Sequence, residues 1–147
     1  MASNKVMGID YGSVRIGISF SDETNTVAFG KDVLTNDAGC IEKITGIVKQ
    51  NSIGKIVLGY PLNLKGHKSP QTIKVEEFEA KLRNYLNKSL GEGTVQIIRW
   101  DERFTSKMAQ DSMLESGMKK KKRQQKSNLD IISAALLLQS YLDSRKL

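Results

Sequence analysis

The chain has one cysteine, Cys40, one histidine, His67, and two prolines among its 147 residues. A single cysteine cannot form an internal disulfide, which is typical of proteins that fold in a reducing compartment. Structural zinc sites need several Cys and His ligands, so a site of that kind is excluded. With one cysteine and one histidine, a thiol-based catalytic triad also has little support.

Long apolar segments are also missing from the sequence. The longest strongly apolar run, residues 131–138, is far shorter than the roughly 20 residues that cross a bilayer. The opening residues, MASNKVMGIDYG, contain no apolar core of the signal-peptide type. Hydrophobic residues make up 39% and charged residues 27% of the chain, as in ordinary globular proteins. We therefore expect one cytoplasmic domain over residues 1–147.

Positive charge is concentrated in one segment near the carboxyl end, here called the basic run. The net charge of the chain is +7, but outside this segment 17 basic residues face 16 acidic ones. The concentration favours a polyanionic partner, with a solvated basic loop as the structural alternative. The basic run consists of Lys119, Lys120, Lys121, Lys122, Arg123 and Lys126.

Hydrophobic periodicity predicts an α/β fold. Three strands precede the first helix and further strands alternate with helices, which indicates a mixed five-stranded sheet flanked by helices. It combines an antiparallel three-strand meander with parallel strands added by crossovers. Strands are predicted over residues 5–10, 14–20, 27–34, 55–60 and 94–100, and helices over 40–51, 70–90, 106–115 and 128–144. The helix over 70–90 has an apolar stripe of Val75, Phe78, Leu82, Tyr85 and Leu86.

Acidic residues stand at the ends of several predicted elements. Asp10 ends the first strand, Asp101 and Glu102 end the fifth, and Asp130 opens the last helix. Sites in sheets with parallel crossovers form beyond the carboxyl ends of strands, so these acids are candidates for one shared site. Each has a structural alternative: a turn for Asp10 and a helix start for Asp130.

Neighbouring residues of a regular strand point to opposite faces, so only one of Asp101 and Glu102 can face a shared site. The other is expected to pair with Arg103 or to cap the helix predicted next. Carboxylates gathered at one edge repel, and a divalent cation removes that conflict. Hard oxygen ligands select Mg²⁺ or Mn²⁺, and such ions support phosphodiester hydrolysis.

The catalytic prediction therefore comprises Asp10, Asp101, Glu102 and Asp130, with Asp10, Glu102 and Asp130 as metal ligands. Further polar residues near the predicted edge are candidates for phosphate contacts, or alternatively for a surface cation and for loop support. These candidates are Arg15, Asn63, Lys65 and Arg103, together with the basic run.

Four segments together resemble the motifs of the YqgF family, also called RuvX. They are GIDYGSVRIGISFSD (8–22), VLGYPLNLKG (57–66), WDERFTS (100–106) and LDIISAALLLQSYLD (129–143). The resemblance covers essentially the whole chain in the right order. It implies an RNase H-like fold of the resolvase type, metal-dependent nuclease activity and a role in maturing the 5′ end of 16S rRNA precursor.

By position, the family's first-strand acid matches Asp10, its Asp-Glu-Arg motif matches residues 101–103, and its helix acid matches Asp130. The basic run resembles a family segment that would hold the substrate backbone, making binding sensitive to salt. Expected partners are precursor rRNA and the small-subunit precursor, with the chain as a monomer or weak homodimer. Two alternatives stay open: a Holliday junction resolvase acting on DNA, and a non-catalytic RNA-binding module of the same fold.

Overall fold

The computed structural model describes residues 5–104 and 126–145. A five-stranded sheet has the order β3-β2-β1-β4-β5, in which β1, β2 and β3 are antiparallel and β4 and β5 run parallel to β1. The predicted mixed sheet is therefore confirmed. The elements are β1 (Val6–Tyr11), β2 (Arg15–Ser21), β3 (Ala28–Thr35), α1 (Cys40–Gln50), β4 (Lys55–Tyr60), α2 (Pro70–Leu90), β5 (Gln96–Asp101), a 3₁₀ turn (Glu102–Phe104) and α3 (Lys126–Ser144).

Helix α3 begins at Lys126, two residues before the predicted start. The residues before Leu129 have no apolar periodicity, so the hydrophobic pattern could not indicate that they are helical. Asp130 consequently lies in the second turn of the helix, and the helix-start alternative for this acid is wrong. The predicted helix over residues 106–115 lies outside the described residues.

The sheet separates two apolar layers, and strand alternation decides which residue enters which layer. Met7 and Ile9 of β1 pack with the buried faces of α1 and α2. Val6 of β1 and Val57 of β4 face the other way and pack with Leu138 of α3 and its neighbours. Asp10 has the parity of Val6, which directs it towards α3.

Strand β5 follows the same alternation. Trp100 packs on the α3 side, with its ring 5.5 Å from that of Tyr141 in an edge-to-face arrangement. Arg99 points to the α2 side, where its Nη2 donates to Oε1 of the buried Glu79 at 2.7 Å. The next residue in this alternation, Asp101, therefore has the parity of Arg99 and points away from α3.

Helix α2 has the predicted bounds, and its apolar stripe is buried with one exception. Tyr85 lies at the edge of the stripe and is 39% exposed. Its neighbour Leu86 is 2% exposed. In the described part of the chain, no helix combines the length and apolarity needed to cross a bilayer.

Helix α3 lies directly on the first three strands because small residues face it. A Cβ at Gly17 would collide with the backbone oxygen of Asp130, and one at Gly30 would collide with Ile131. Ser19 donates a hydrogen bond from Oγ to the backbone oxygen of Ala134 at 2.7 Å. The glycine in β2 therefore sets how closely the Asp130 turn approaches the sheet.

Replacing Gly17 by Ala should lower the free energy of unfolding by about 1–3 kcal/mol, because helix backbone occupies the space that the new methyl group needs. Urea denaturation monitored by circular dichroism measures this change. The matched control is Gly46→Ala in α1, where a Cβ meets no atom within 4 Å. That variant should gain about 0.5–1 kcal/mol. Equal stability of the two variants would contradict the close contact.

Candidate active site

The carboxyl groups of Asp10 and Glu102 share a hydrogen bond at the carboxyl-terminal edge of the sheet. Asp10 is near the end of β1, and Glu102 begins the turn that follows β5. Strand β4 lies between them, yet Glu102 crosses it because Gly59 has no side chain. A Cβ at Gly59 would overlap a carboxylate oxygen of Glu102.

Burial is the main electrostatic influence on this acid pair, the name used below for Asp10 and Glu102. Burial raises the pKa of Asp10 to about 6, although the hydrogen bond from Glu102 opposes the rise and the charge of Asp130 adds to it. Burial also raises the pKa of Glu102 to about 8, with further contributions from Asp10 and Asp101. Near neutral pH, the two carboxyl groups therefore hold one proton between them.

Asp130 reaches the same edge from α3, but its carboxylate is held by an arginine. Arg15 opens β2 and donates from Nε to Oδ2 of Asp130 at 2.7 Å. Both side chains are about one-third exposed, at 32% and 31%. Arg15 is therefore more than a surface cation of the hairpin, because it neutralises the third acid of the edge.

Asp101 is turned away from the acid pair, as strand alternation requires. Its Oδ2 accepts hydrogen bonds from Nε and Nη2 of Arg103 at 2.8 and 2.6 Å, and its Oδ1 accepts from the Arg103 backbone. These contacts lower the pKa of Asp101. Of the two acids after β5, Glu102 therefore faces Asp10, while Asp101 orients Arg103.

The donor set fits a hard divalent cation, since the acid pair and Asp130 offer only carboxylate oxygens. A cation at the acid pair would take the place of the shared proton. Among residues 5–104 and 126–145, however, no three acids are arranged as a complete metal-binding group. Asp130, the acid predicted as the third ligand, is paired with Arg15.

Two of the residues predicted to contact phosphate, Asn63 and Lys65, lie in the loop after β4. Oδ1 of Asn63 accepts hydrogen bonds from the backbone nitrogens of Lys65 and His67 at 3.0 and 2.9 Å. Asn63 therefore supports the loop, which was the structural alternative for this residue. The side chain of Lys65 is exposed.

The basic run cannot be placed relative to the acid pair. Its residues from Lys119 to Arg123 lie outside the described part of the chain. Lys126 begins α3, but its side chain is not among those described. The predicted role of these cations therefore remains a prediction from the sequence.

Sequence reasoning missed Gly59, one of the two glycines that make the edge possible. Gly17 and Gly59 lie on either side of Asp10, in β2 and β4, and both face α3. The available signal was a glycine within an apolar strand, which often marks close approach of another group. Gly59, the glycine of KIVLGY (55–60), has this pattern.

Comparison with known proteins agrees with the motifs. A family model described as "RuvX: Holliday junction resolvase" matches residues 4–144. A "Putative pre-16S rRNA nuclease" of Sulfurihydrogenibium sp. (strain YO3AOP1) is 36% identical over 140 residues, covering 95% of this chain and 90% of the relative. A protein of the same name from Bacteroides fragilis (strain YCH46) is 38% identical over 144 residues, covering 98% and 99%.

Solved structures agree on the fold. The chain is similar to RuvC of T. thermophilus, solved in complex with a Holliday junction substrate, with a TM-score of 0.57 and 12% identity. The match covers 96% of this chain and 94% of the other. The predicted RNase H-like fold of the resolvase type is confirmed.

The stability of the protein should fall as the pH rises from about 4 to above 8 in the presence of EDTA. Both acids of the pair bind protons more strongly in the folded chain than in the unfolded chain, where their pKa values are 3.8 and 4.5. Their stabilising contribution is therefore complete at low pH and is lost through the folded values. Urea midpoints measured across this range test the trend.

Glu102→Gln keeps a hydrogen-bond donor towards Asp10 but cannot ionise, so its stability should depend less on pH than that of the wild type. The matched control is Glu92→Gln, an exposed acid at the opposite end of β5. It should retain the wild-type dependence. If Glu102→Gln showed an undiminished fall in stability, the acid pair would not be the source.

Proposed function

The chain belongs to the RuvX family, and on this premise we propose that it is a nuclease that matures the 5′ end of precursor 16S rRNA. The observation that carries the proposal is the proton-sharing pair of Asp10 and Glu102, with Asp130 at the same edge. Holding partly buried acids close together destabilises a fold, whereas such a cluster suits a site that binds a cation. The names of the relatives favour ribosomal RNA as the substrate.

Asp10, Glu102 and Asp130 would hold Mg²⁺ or Mn²⁺ in this proposal. The bound cation would supply a Lewis acid that favours ionised water and stabilises negative charge on phosphate oxygens. When the cation binds, Asp10 and Glu102 would release the proton that they share.

Arg15 and Arg103 would receive the phosphate in this proposal. Arg15 lies beside Asp130 and would exchange this carboxylate for a phosphate oxygen when substrate arrives. Asp101 positions Arg103 through two side-chain hydrogen bonds. Lys65 and the basic run would add contacts to the backbone of the nucleic acid, which predicts weaker binding at higher salt.

A Holliday junction resolvase is the second candidate, favoured by the printed description of the family model. Resolution needs two cuts in strands of like polarity and hence two active sites, which one copy of this chain would reach by forming a dimer. A substrate comparison separates the candidates. Preferential cleavage of a four-way junction over precursor rRNA of matched length would favour the resolvase.

Asp10→Asn should reduce cleavage of a precursor rRNA carrying its 5′ leader by about three orders of magnitude, because the acid pair loses a ligand charge. Binding of the same RNA should stay within a few-fold of wild type. Single-turnover cleavage with Mn²⁺ and filter binding in EDTA give the two numbers. Asp32→Asn, at an exposed acid of β3, is the control and should cleave normally. Retained cleavage by Asp10→Asn would exclude this site.

Arg15→Gln should tighten Mn²⁺ binding by a few-fold in the absence of nucleic acid, since it frees the Asp130 carboxylate from its ion pair. Isothermal titration calorimetry measures the affinity. The double variant Arg15→Gln/Asp130→Asn should lose the gain, and Lys49→Gln on α1 controls for net charge. Weaker Mn²⁺ binding by Arg15→Gln would show that Arg15 supports the site and does not compete with the cation.

A further inference from the structure

The loop after β4 presents one apolar side chain almost completely to solvent. This loop, residues 61–68, is called the tip loop below. Its Leu64 is 94% exposed, whereas the other exposed large apolar side chains in the described ranges are between 39% and 64% exposed. A single exposed leucine is common on protein surfaces, so only its position relative to the acid pair can indicate a function.

The backbone around Leu64 is fixed on both sides. The nitrogen of Asn63 donates to the backbone oxygen of His67 at 2.9 Å, and the nitrogen of Gly66 donates to the oxygen of Asn63 at 2.8 Å. Gly66 has a φ of +82°, which glycine adopts without strain. The exposure of Leu64 is therefore built into an ordered turn.

The base of the tip loop is attached to the neighbouring helix. Thr72, in the first turn of α2, donates from its hydroxyl to the backbone oxygen of Pro61. Lys68 forms an ion pair with Glu76 of the same helix at 2.8 Å. A tip held in this way loses little conformational entropy when it meets a partner.

The tip loop is next to the acid pair. It leaves β4 after Tyr60, the residue that follows Gly59, and the carboxylate of Glu102 lies against Gly59. On its other side, a Cβ at Gly66 would lie 3.2 Å from Nη1 of Arg103. Leu64 thus projects from the edge that holds the acids, with the exposed Lys65 beside it.

We propose that Leu64 packs against an unstacked base beside the scissile phosphate and thereby selects nucleic acid whose base stack is already open. An apolar side chain next to a cation suits the exposed face of a base next to a phosphate. Opening an intact base step costs free energy. This cost weakens binding to a regular duplex, whereas the base stack at a bulge is already open. This inference rests on the proposed nuclease function.

Binding of paired oligonucleotides in EDTA tests the proposal without cleavage. One is a regular RNA duplex, and the other carries a two-nucleotide bulge with 2-aminopurine beside it. Wild type should bind the bulged RNA more tightly and increase its fluorescence. Leu64→Ala should reduce the ratio of affinities for bulged and regular RNA by about ten-fold, because the apolar contact is lost only where the stack is open. It should also reduce the fluorescence change.

Two variants make the measurement specific. Leu64→Phe restores a large apolar side chain and should restore both the ratio and the fluorescence change. Val27→Ala, at a 52% exposed residue at the opposite end of the sheet, should behave as wild type. An unchanged ratio for Leu64→Ala would overturn the role of Leu64. Cleavage by the wild type with Mn²⁺, measured in parallel, reports separately on the nuclease function.

Discussion

The space around Asp10 is the constraint on which the active edge depends. In the sheet this acid lies between Gly17 of β2 and Gly59 of β4, and all three residues face α3. The first glycine admits the backbone of the Asp130 turn, and the second admits the Glu102 carboxylate. Three acids therefore converge because two neighbouring positions have no side chain.

The converging acids reduce their mutual repulsion in two different ways. Asp10 and Glu102 share a proton, which their burial stabilises by raising both pKa values. Asp130 keeps its charge and is matched by Arg15 at 2.7 Å. In the proposed function, the same edge would accept a cation when the proton leaves and Arg15 turns to the substrate. This combination is what the proposed phosphodiester chemistry would use.

The mixed sheet with its antiparallel meander and added parallel strands followed from hydrophobic periodicity and from the order of the elements along the chain. Alternation also correctly indicated that Asp101 and Glu102 diverge, since it depends only on backbone geometry. It could not indicate which of them joins Asp10. That outcome depends on the 3₁₀ turn after β5 and on the empty position above Gly59.

Other features of the site were beyond a single sequence. The pairing of Arg15 with Asp130 joins residues 115 positions apart, and no local pattern encodes it. The start of α3 was also missed, since its first residues are polar and give no periodic signal. The exposure of Leu64 was hidden for a related reason: an apolar residue in a loop resembles one that folds inward until the loop geometry is known.

Because the Glu102 carboxylate lies against Gly59, the residue types that can stand at these two positions depend on each other. A glutamate is long enough to cross β4, but only over a residue without a Cβ. Any larger residue at 59 would displace the acid, and a shorter acid at 102 would leave the crossing incomplete. Substitutions at these positions are thus coupled: a lineage that alters one must supply the second carboxylate from elsewhere, or it keeps the fold and gives up the pair.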